Sequence, residues 1–450
     1  MADDAPRNRH RAVPASRIGR LGGFAGMAGS IAGGMIGEGA RRLAAGERPT
    51  FDQLLLTPAN AKRLADQLAH LRGAAMKLGQ MISMDAGDLL SPELSAILAR
   101  LRENADFMPP RQLDKVLGAE WGKEWRKRFR RFEPRPIAAA SIGQVHRAML
   151  PDGRMLAIKV QYPGVAQSIE SDVDNVAGLL RLTGLLPAEL DIAPLLAAAK
   201  GQLREEADYL REGAMMQRFA ELLADQPHFI VPKLFDDLTT PSILAMSYEE
   251  GGPVEKLEEE PQDIRDQIFA HFIDLVGREL FETRLMQTDP NFANYRWQAK
   301  TGRIVLLDFG ATREVSEDLS QHYRQLLEAG IAGNRAAVLD QAVQAGFIAP
   351  QAVERHPDAI QRAVDIVVTK MTDEALLDFG DRSFVPEIRE TVVPIAQDRQ
   401  SWHLPPAEML FVQRKVSGTA LLGARLKARV DVRGIVEAIL ARTAREDSEV

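Results

Sequence analysis

The sequence predicts an α+β chain of two lobes, a small β-rich lobe followed by a larger helical one, with a helical extension ahead of both. Three observations carry that reading. Residues 137–160 hold two apolar runs around a Pro151-Asp152-Gly153 turn, the pattern of a β-hairpin. Residues 285–310 hold a second strand-rich unit: Asp289 and Asn294 lie five apart, and an apolar run at 304–307 ends in Asp308-Phe309-Gly310. Much of the remainder repeats its apolar residues at three and four, the period of a buried helix face.

The bulk numbers narrow the function. A chain of 450 residues with 45% hydrophobic and 26% charged content is ordinary globular material, long enough for two or three domains or one large bilobal one. The net charge of −7 and 6% aromatic content argue against a nucleic-acid binder. With no cysteine there is no disulfide, no thiolate metal site and no cysteine nucleophile, which suits a reducing compartment.

Residues 1–47 are read as a basic, then Gly-rich segment. Arg7, Arg9, Arg11, Arg17 and Arg20 precede an uncharged stretch at 21–37 with glycine at 22, 26, 29, 33 and 37. That stretch is short beside the roughly 20 residues of a helical membrane span. Small residues at every fourth position let helices approach closely in lipid. The segment reads as membrane-associating or self-associating, the second route giving a homodimer; a flexible linker is the alternative. A cleaved signal peptide fits less well, because no Leu-rich core or cleavage site follows.

Residues 48–127 are predicted as a helical extension, with helices near 58–85, 91–102 and 111–127. On the first, Lys77 and Gln80 share a face off the apolar stripe, and Gly79 beside them lets another backbone or a ligand approach. A solvated face is the commoner meaning of such a pattern.

Residues 128–250 are the predicted β-rich lobe with a helical insertion. Met155-Leu-Ala-Ile-Lys-Val160 has the form of a strand whose lysine reaches nucleotide phosphates and pairs with a helix glutamate. A lysine on an apolar strand more often guards a sheet edge, but the order of elements favours the first meaning for Lys159. The phosphate-covering loop then falls on Ile137, Ala138, Ala139, Ala140 and Ser141, where three Cβ methyls replace the usual glycines and limit backbone approach to phosphate. A helix is predicted over 165–182. Another over 195–223 would place Leu195, Leu196, Ala199, Leu203, Leu210, Ala214 and Phe219 on its core side. Of its acids, Asp208 and Glu212 would share a face, with Glu206 off to one side, and Glu212 is the chosen partner of Lys159. Strands are predicted at 229–235 and 242–248, the latter bringing Met246, Ser247, Tyr248 and Glu249 to the adenine-binding position.

Residues 251–450 are the predicted helical lobe. An apolar helix over 264–285 leads into the catalytic stretch. Asp289 and Asn294 have the spacing of the base and the metal-binding amide in a kinase catalytic loop, and Asp308 could supply a second metal ligand; taken singly, a capped turn and a strand-ending turn are the bland meanings, and the two motifs in order favour the first reading. Past Gly310 little room is left for an activation segment before a helix from Glu317, and no Ala-Pro-Glu follows. The region 415–429 is basic and apolar, a packing helix or a lipid-facing surface.

With Lys77-x-Gly79-Gln80, Ala138-Ala-Ala-Ser141, Glu206-x-Asp208, Gln287-Thr-Asp-Pro-Asn291 and Asp308-Phe-Gly310 assembled, the chain resembles the UbiB (aarF-domain) atypical kinases, in their coenzyme Q branch. The commoner bacterial loop, H-x-D-P-H-P-G-N, is replaced here by 287–294. The resemblance implies a protein-kinase-like fold whose helical extension packs over the active site, with Lys77, Gly79 and Gln80 near Glu206 and Asp208 blocking protein substrates. It implies ATP or ADP and Mg²⁺ as cofactors, ATPase or small-molecule kinase activity, and a role in ubiquinone biosynthesis among membrane lipid, quinone precursors and partner enzymes. The expected location is the bacterial cytoplasm at the inner membrane, or the mitochondrial matrix side in a eukaryote.

Overall fold

The computed structural model describes residues 107–182, 193–372, 375–398 and 405–449. The Gly-rich stretch, the helices expected at 58–85 and 91–102, and with them Lys77, Gly79 and Gln80, lie outside the described residues. The fold is α+β and protein-kinase-like, with two compact units. The first takes the described residues through Gln217 together with Lys233–Tyr248, the second Arg218–Pro232 and Glu249 onward.

In the first unit, α1 (Pro110–Trp121) begins on a proline, whose missing N–H is no loss in a helix's first turn. It stops at Trp121, short of the expected 127, and a 3₁₀ turn at Trp125–Arg128 follows. The sheet is antiparallel: β1 (Arg131–Phe132), β3 (Gly143–Met149), β4 (Met155–Gln161) and β6 (Ile243–Ser247) in that order, with β2 (Ala138–Ala139) on β3. β5 (Phe229–Ile230) belongs to the second unit. The β3–β4 hairpin runs from Gly143↔Gln161 to Met149↔Met155 and closes through Gly153, whose φ of +90° the turn requires. β4 is the central strand, and Leu156, Ile158 and Val160 join Trp121, Trp125 and Phe129 in one core. The Trp121 indole N–H donates to the Leu238 carbonyl at 2.9 Å, so its polar end is satisfied on burial.

Helix α2 (Val165–Leu182) has the expected bounds. The helix expected over 195–223 is instead two, α3 (Ala193–Glu206) and α4 (Tyr209–Leu222). Asp208 caps α4, its side chain accepting from the Arg211 N–H at 3.0 Å. The break shifts the helical phase. Leu210 is 52% exposed rather than in the core. Ala214 is exposed as well, and Met216 and Phe219 are buried.

In the second unit, β9 (Tyr295–Gln298) and β10 (Arg303–Leu306) form a hairpin between β5, parallel to β10, and β7 (Gly252–Pro253). The strand expected over 229–235 is thus only Phe229–Ile230, with a single bridge at Leu234 in the first unit. Helix α5 (Gln262–Gly277) ends in a π turn, Arg278–Glu282, and Arg284 takes φ of +48°. Leu285 therefore belongs not to the expected 264–285 helix but to β8 (Leu285–Gln287), which pairs with β11 (Thr312–Glu314).

From β11 the chain passes almost at once into α6 (Glu317–Ile331), capped by Ser316. Then come α7 (Arg335–Gln344), α8 (Pro350–Arg355), α9 (Pro357–Thr372), β12 (Leu377–Asp378), α10 (Phe384–Gln397), α11 (Ala407–Leu426), β13 (Arg429–Val430) and α12 (Val432–Glu449). Leu280, Met286, Leu319, Met409, Val412 and Ile439 share a core that joins α11 and α12 to β8.

Candidate active site

Each unit carries candidate residues of its own. In the first, Lys159 projects from β4 and Glu212 from the first turn of α4. The Lys159 Nζ donates to both Glu212 oxygens, at 2.8 and 3.0 Å, and stands 5.1 Å from the centre of the Tyr209 ring. The pair is buried, with side-chain exposures of 10% and 1%. The α3–α4 break makes this possible, because it lets α4 start afresh with Glu212 turned toward the sheet. The Gln161 side chain stabilises the break by donating to the Ala207 carbonyl at 2.7 Å.

The alanine-rich loop is a tight hydrogen-bonded hairpin. The N–H of Ile137 donates to Val145 and that of Ala140 to Gly143, at 2.8 and 2.9 Å, and Ala138 and Ala139 pair with Val145 and Gln144. Ser141 Oγ donates to Glu206 at 2.8 Å, tying the loop to the end of α3. Glu206 and Asp208 therefore have separate tasks, one holding the loop and one capping α4. Met246 is buried in β6. The N–H groups of Ser247 and Tyr248 are engaged by the carbonyls of Lys233 and Met155, at 2.8 and 2.9 Å. Glu249 begins the second unit.

In the second unit, the segment between β8 and β9 carries Asp289 and Asn294. Asn294 Nδ2 donates to the Asp289 carbonyl and carboxylate, both at 3.3 Å, which turns its amide oxygen the other way. Asn291 caps the 3₁₀ turn Phe292–Asn294 by accepting from the Ala293 N–H. The Leu307 N–H donates to the Asn294 carbonyl at 2.9 Å, which sets Asp308 beside that turn. The Asp308 carboxylate accepts from the Gly310 N–H at 3.0 Å, and Phe309 is buried against Phe219. Thr288, given no role of its own in the sequence reading, donates its hydroxyl to the Ala311 carbonyl at 2.7 Å and so links the 289–294 loop to the segment after Gly310. Its one sequence signal is its place before Asp289.

The sequence reading also missed the support below this loop. Lys415, from the region expected as a packing helix or a lipid-facing surface, is 2% exposed and bonds to Glu279 at 2.9 Å, with Tyr295 Oη at 3.4 Å. Burial pushes the Glu279 carboxyl up, against the pull of the Lys415 charge. Burial works to lower Lys415, but Glu279 and Tyr295 outweigh it and hold its pKa above the ordinary lysine value. The residues Lys415 to Leu426 thus lie in a packing helix, while Arg429 has passed into β13.

The donors at this site are all oxygens: the Asp289 and Asp308 carboxylates and the Asn294 amide. That set suits a hard cation such as Mg²⁺, which takes one or two carboxylates beside substrate phosphates. Among the described residues no group of three His, Cys, Asp or Glu is arranged to hold a metal by itself, so the phosphates would complete the coordination.

Residues 100–342 match the ABC1 atypical kinase-like domain. The chain is 38% identical to the mitochondrial atypical kinase COQ8B of Danio rerio, over 95% of this chain and 69% of that one. It is 36% identical to the mitochondrial atypical kinase COQ8 of Saccharomyces cerevisiae, over 95% and 86% respectively. Among solved structures, Rv3197 from Mycobacterium tuberculosis, in complex with erythromycin, aligns with a TM-score of 0.58 at 24% identity, over 85% of this chain and 95% of that one. That last likeness is one of fold.

Proposed function

The chain belongs to the ABC1 atypical kinase family, in its COQ8/UbiB branch of coenzyme Q biosynthesis, and on that premise we propose that it is a membrane-associated, Mg-nucleotide-dependent ATPase or small-molecule kinase. It acts on, or in response to, lipid or phenolic quinone precursors rather than proteins. The observation that carries this reading is the closed Lys159–Glu212 pair, which supports a lysine held ready for nucleotide phosphates. Lys159 orients the phosphates. Asn294 and Asp308 hold Mg²⁺, which when bound offsets charge on the phosphate oxygens. Asp289 accepts the proton of the attacking hydroxyl or water. The short passage from Gly310 to α6 removes the platform on which protein kinases seat a peptide, and the segment at 48–127 is assigned to the blocked side. ATP and ADP both fit these roles.

No described helix is long and apolar enough to cross a membrane, so the proposed membrane association rests on residues 21–37. The expected location is the inner membrane of a bacterium or the matrix side of a mitochondrion.

The test is Mg-dependent ATP hydrolysis by the full chain, with and without anionic liposomes and a phenolic precursor mimic, beside Asp308→Asn. Hydrolysis that rises with lipid and phenol and vanishes in the variant supports the enzyme. A second reading, a nucleotide-gated scaffold for quinone-biosynthesis enzymes, is favoured by the Ser141–Glu206 tie, which stiffens a loop that already carries three methyls. Nucleotide binding without hydrolysis under any of these conditions selects it.

A further inference from the structure

The loop that carries Asp289 and Asn294 rests on a buried charge pair that contributes nothing to the phosphate chemistry. Glu279 lies in the π turn after α5, Lys415 in the middle of α11, and their side chains are 3% and 2% exposed. The Glu279 carboxylate accepts from Lys415 at 3.1 Å, and the backbone of Gln287, two residues before Asp289, is near enough to favour its charged form. Lys415 in turn reaches Tyr295, the residue after Asn294. One carboxylate thus engages the entry to the loop directly and its exit through the lysine. Gly418, three residues beyond Lys415 and on the same side of α11, is packed against Pro290, and a methyl at Gly418 would overlap the Pro290 ring. The loop has a charged clamp at both ends and a bare patch of helix under its middle.

We propose that Glu279 and Lys415, with Gly418, are the positioning residues of the catalytic loop: they fix Asp289 and Asn294 relative to each other from below, without touching nucleotide. This rests on the nucleotide-handling role given to those two residues above. A buried ion pair is a poor route to stability, since desolvation offsets most of the attraction. Its use here is geometric. Burial removes competing water, so the two oxygens and the ammonium have one low-energy arrangement, and the loop inherits it.

The test compares the full-length chain with Gly418→Ala and with the double variant Lys415→Met/Glu279→Gln, which leaves no lone buried charge. Alanine is the better helix former, so any loss in Gly418→Ala arises at Pro290. Three quantities are read: amide hydrogen exchange over 288–294 without metal, nucleotide affinity with and without Mg²⁺, and turnover at saturating nucleotide. The expected result is exchange faster by about tenfold or more in that segment. Mg²⁺ should no longer tighten nucleotide binding, while metal-free affinity stays within about threefold. Turnover should fall about 100-fold, the usual cost of a displacement near 1 Å. A helix of purely structural importance would lower the unfolding temperature and leave loop exchange and the Mg²⁺ effect unchanged. That outcome in Gly418→Ala overturns the proposal, even if the double variant fails to fold. If the parent protein turns nothing over, the ATPase reading fails, and exchange and the Mg²⁺ effect still decide the positioning role.

Discussion

Two buried lysine–glutamate pairs, one in each unit, share a local chemistry and differ in what surrounds them. Lys159–Glu212 joins a central strand to the start of a helix 53 residues away, with the lysine side chain 10% exposed and its ammonium 5.1 Å from the centre of the Tyr209 ring. Lys415–Glu279 joins two helical segments 136 residues apart and is sealed on every side. In the proposed roles the first lysine meets phosphate and the second braces a loop. The two pairs differ in residual exposure, 10% against 2% at the lysine side chain.

The largest effect breaks the comparison by removing one charge at a time. Lys159→Met and Lys415→Met each strand a buried glutamate, and each should cost about 3–5 kcal/mol in chemical unfolding. Their nucleotide affinities should diverge, as isothermal calorimetry can read: strongly weakened in the first, near the parent value without metal in the second. Equal losses of affinity would mean that the pairs are not functionally distinct.

Acid sharpens the comparison through one histidine in each unit. His146 is fully buried, accepts from Gln144 and donates to the Glu133 carbonyl, and burial lowers its pKa to about 4. The unfolded chain takes up this proton near pH 6.5 and the folded chain does not. Stability is therefore intact above pH 6.5, falls as pH drops, and is lower by about 3 kcal/mol below pH 4. His271, stacked on His228, is also lowered to about 4, by burial first and by His228 second. It is only partly buried, so solvent screening should make its effect smaller. Urea unfolding at pH 7 and pH 5 should show the steeper loss for the first unit, and His146→Asn should flatten it.

The smallest effect is local. Ser141→Ala removes one partly buried bond to Glu206, worth about 1 kcal/mol. It should speed nucleotide exchange in stopped-flow with little change in the unfolding midpoint. Unchanged exchange would mean that the tie does not stiffen the loop.

What could be read in the sequence follows the reach of each interaction. The hairpin around Gly153, the Asp289–Asn294 spacing and the Asp308-Phe-Gly310 turn are set by neighbours within a few residues, and their geometry is as local as their signature. The pairing of Lys159 with Glu212 needed knowledge of element order as well. The α3–α4 break was hidden because no Gly or Pro marks it and apolar residues continue across it. Asp208 before Tyr209-Leu210 was the available signal, an N-cap ahead of an apolar pair. Lys415 and Glu279 had no local signature, since each becomes legible only when folding brings the other beside it. Their separation also explains why the sequence left a packing helix and a lipid-facing surface both open for the region of Lys415.

The central claim is the proposed pair of roles, Lys159 meeting nucleotide phosphates and Asp308 meeting Mg²⁺. The most direct test is calorimetric titration of ATP and ADP into the full-length chain, with and without Mg²⁺, beside Lys159→Met and Asp308→Asn. The account predicts that Mg²⁺ tightens binding to the parent, that Asp308→Asn binds nucleotide but loses the Mg²⁺ effect, and that Lys159→Met loses affinity under both conditions. Unchanged binding in both variants would contradict it.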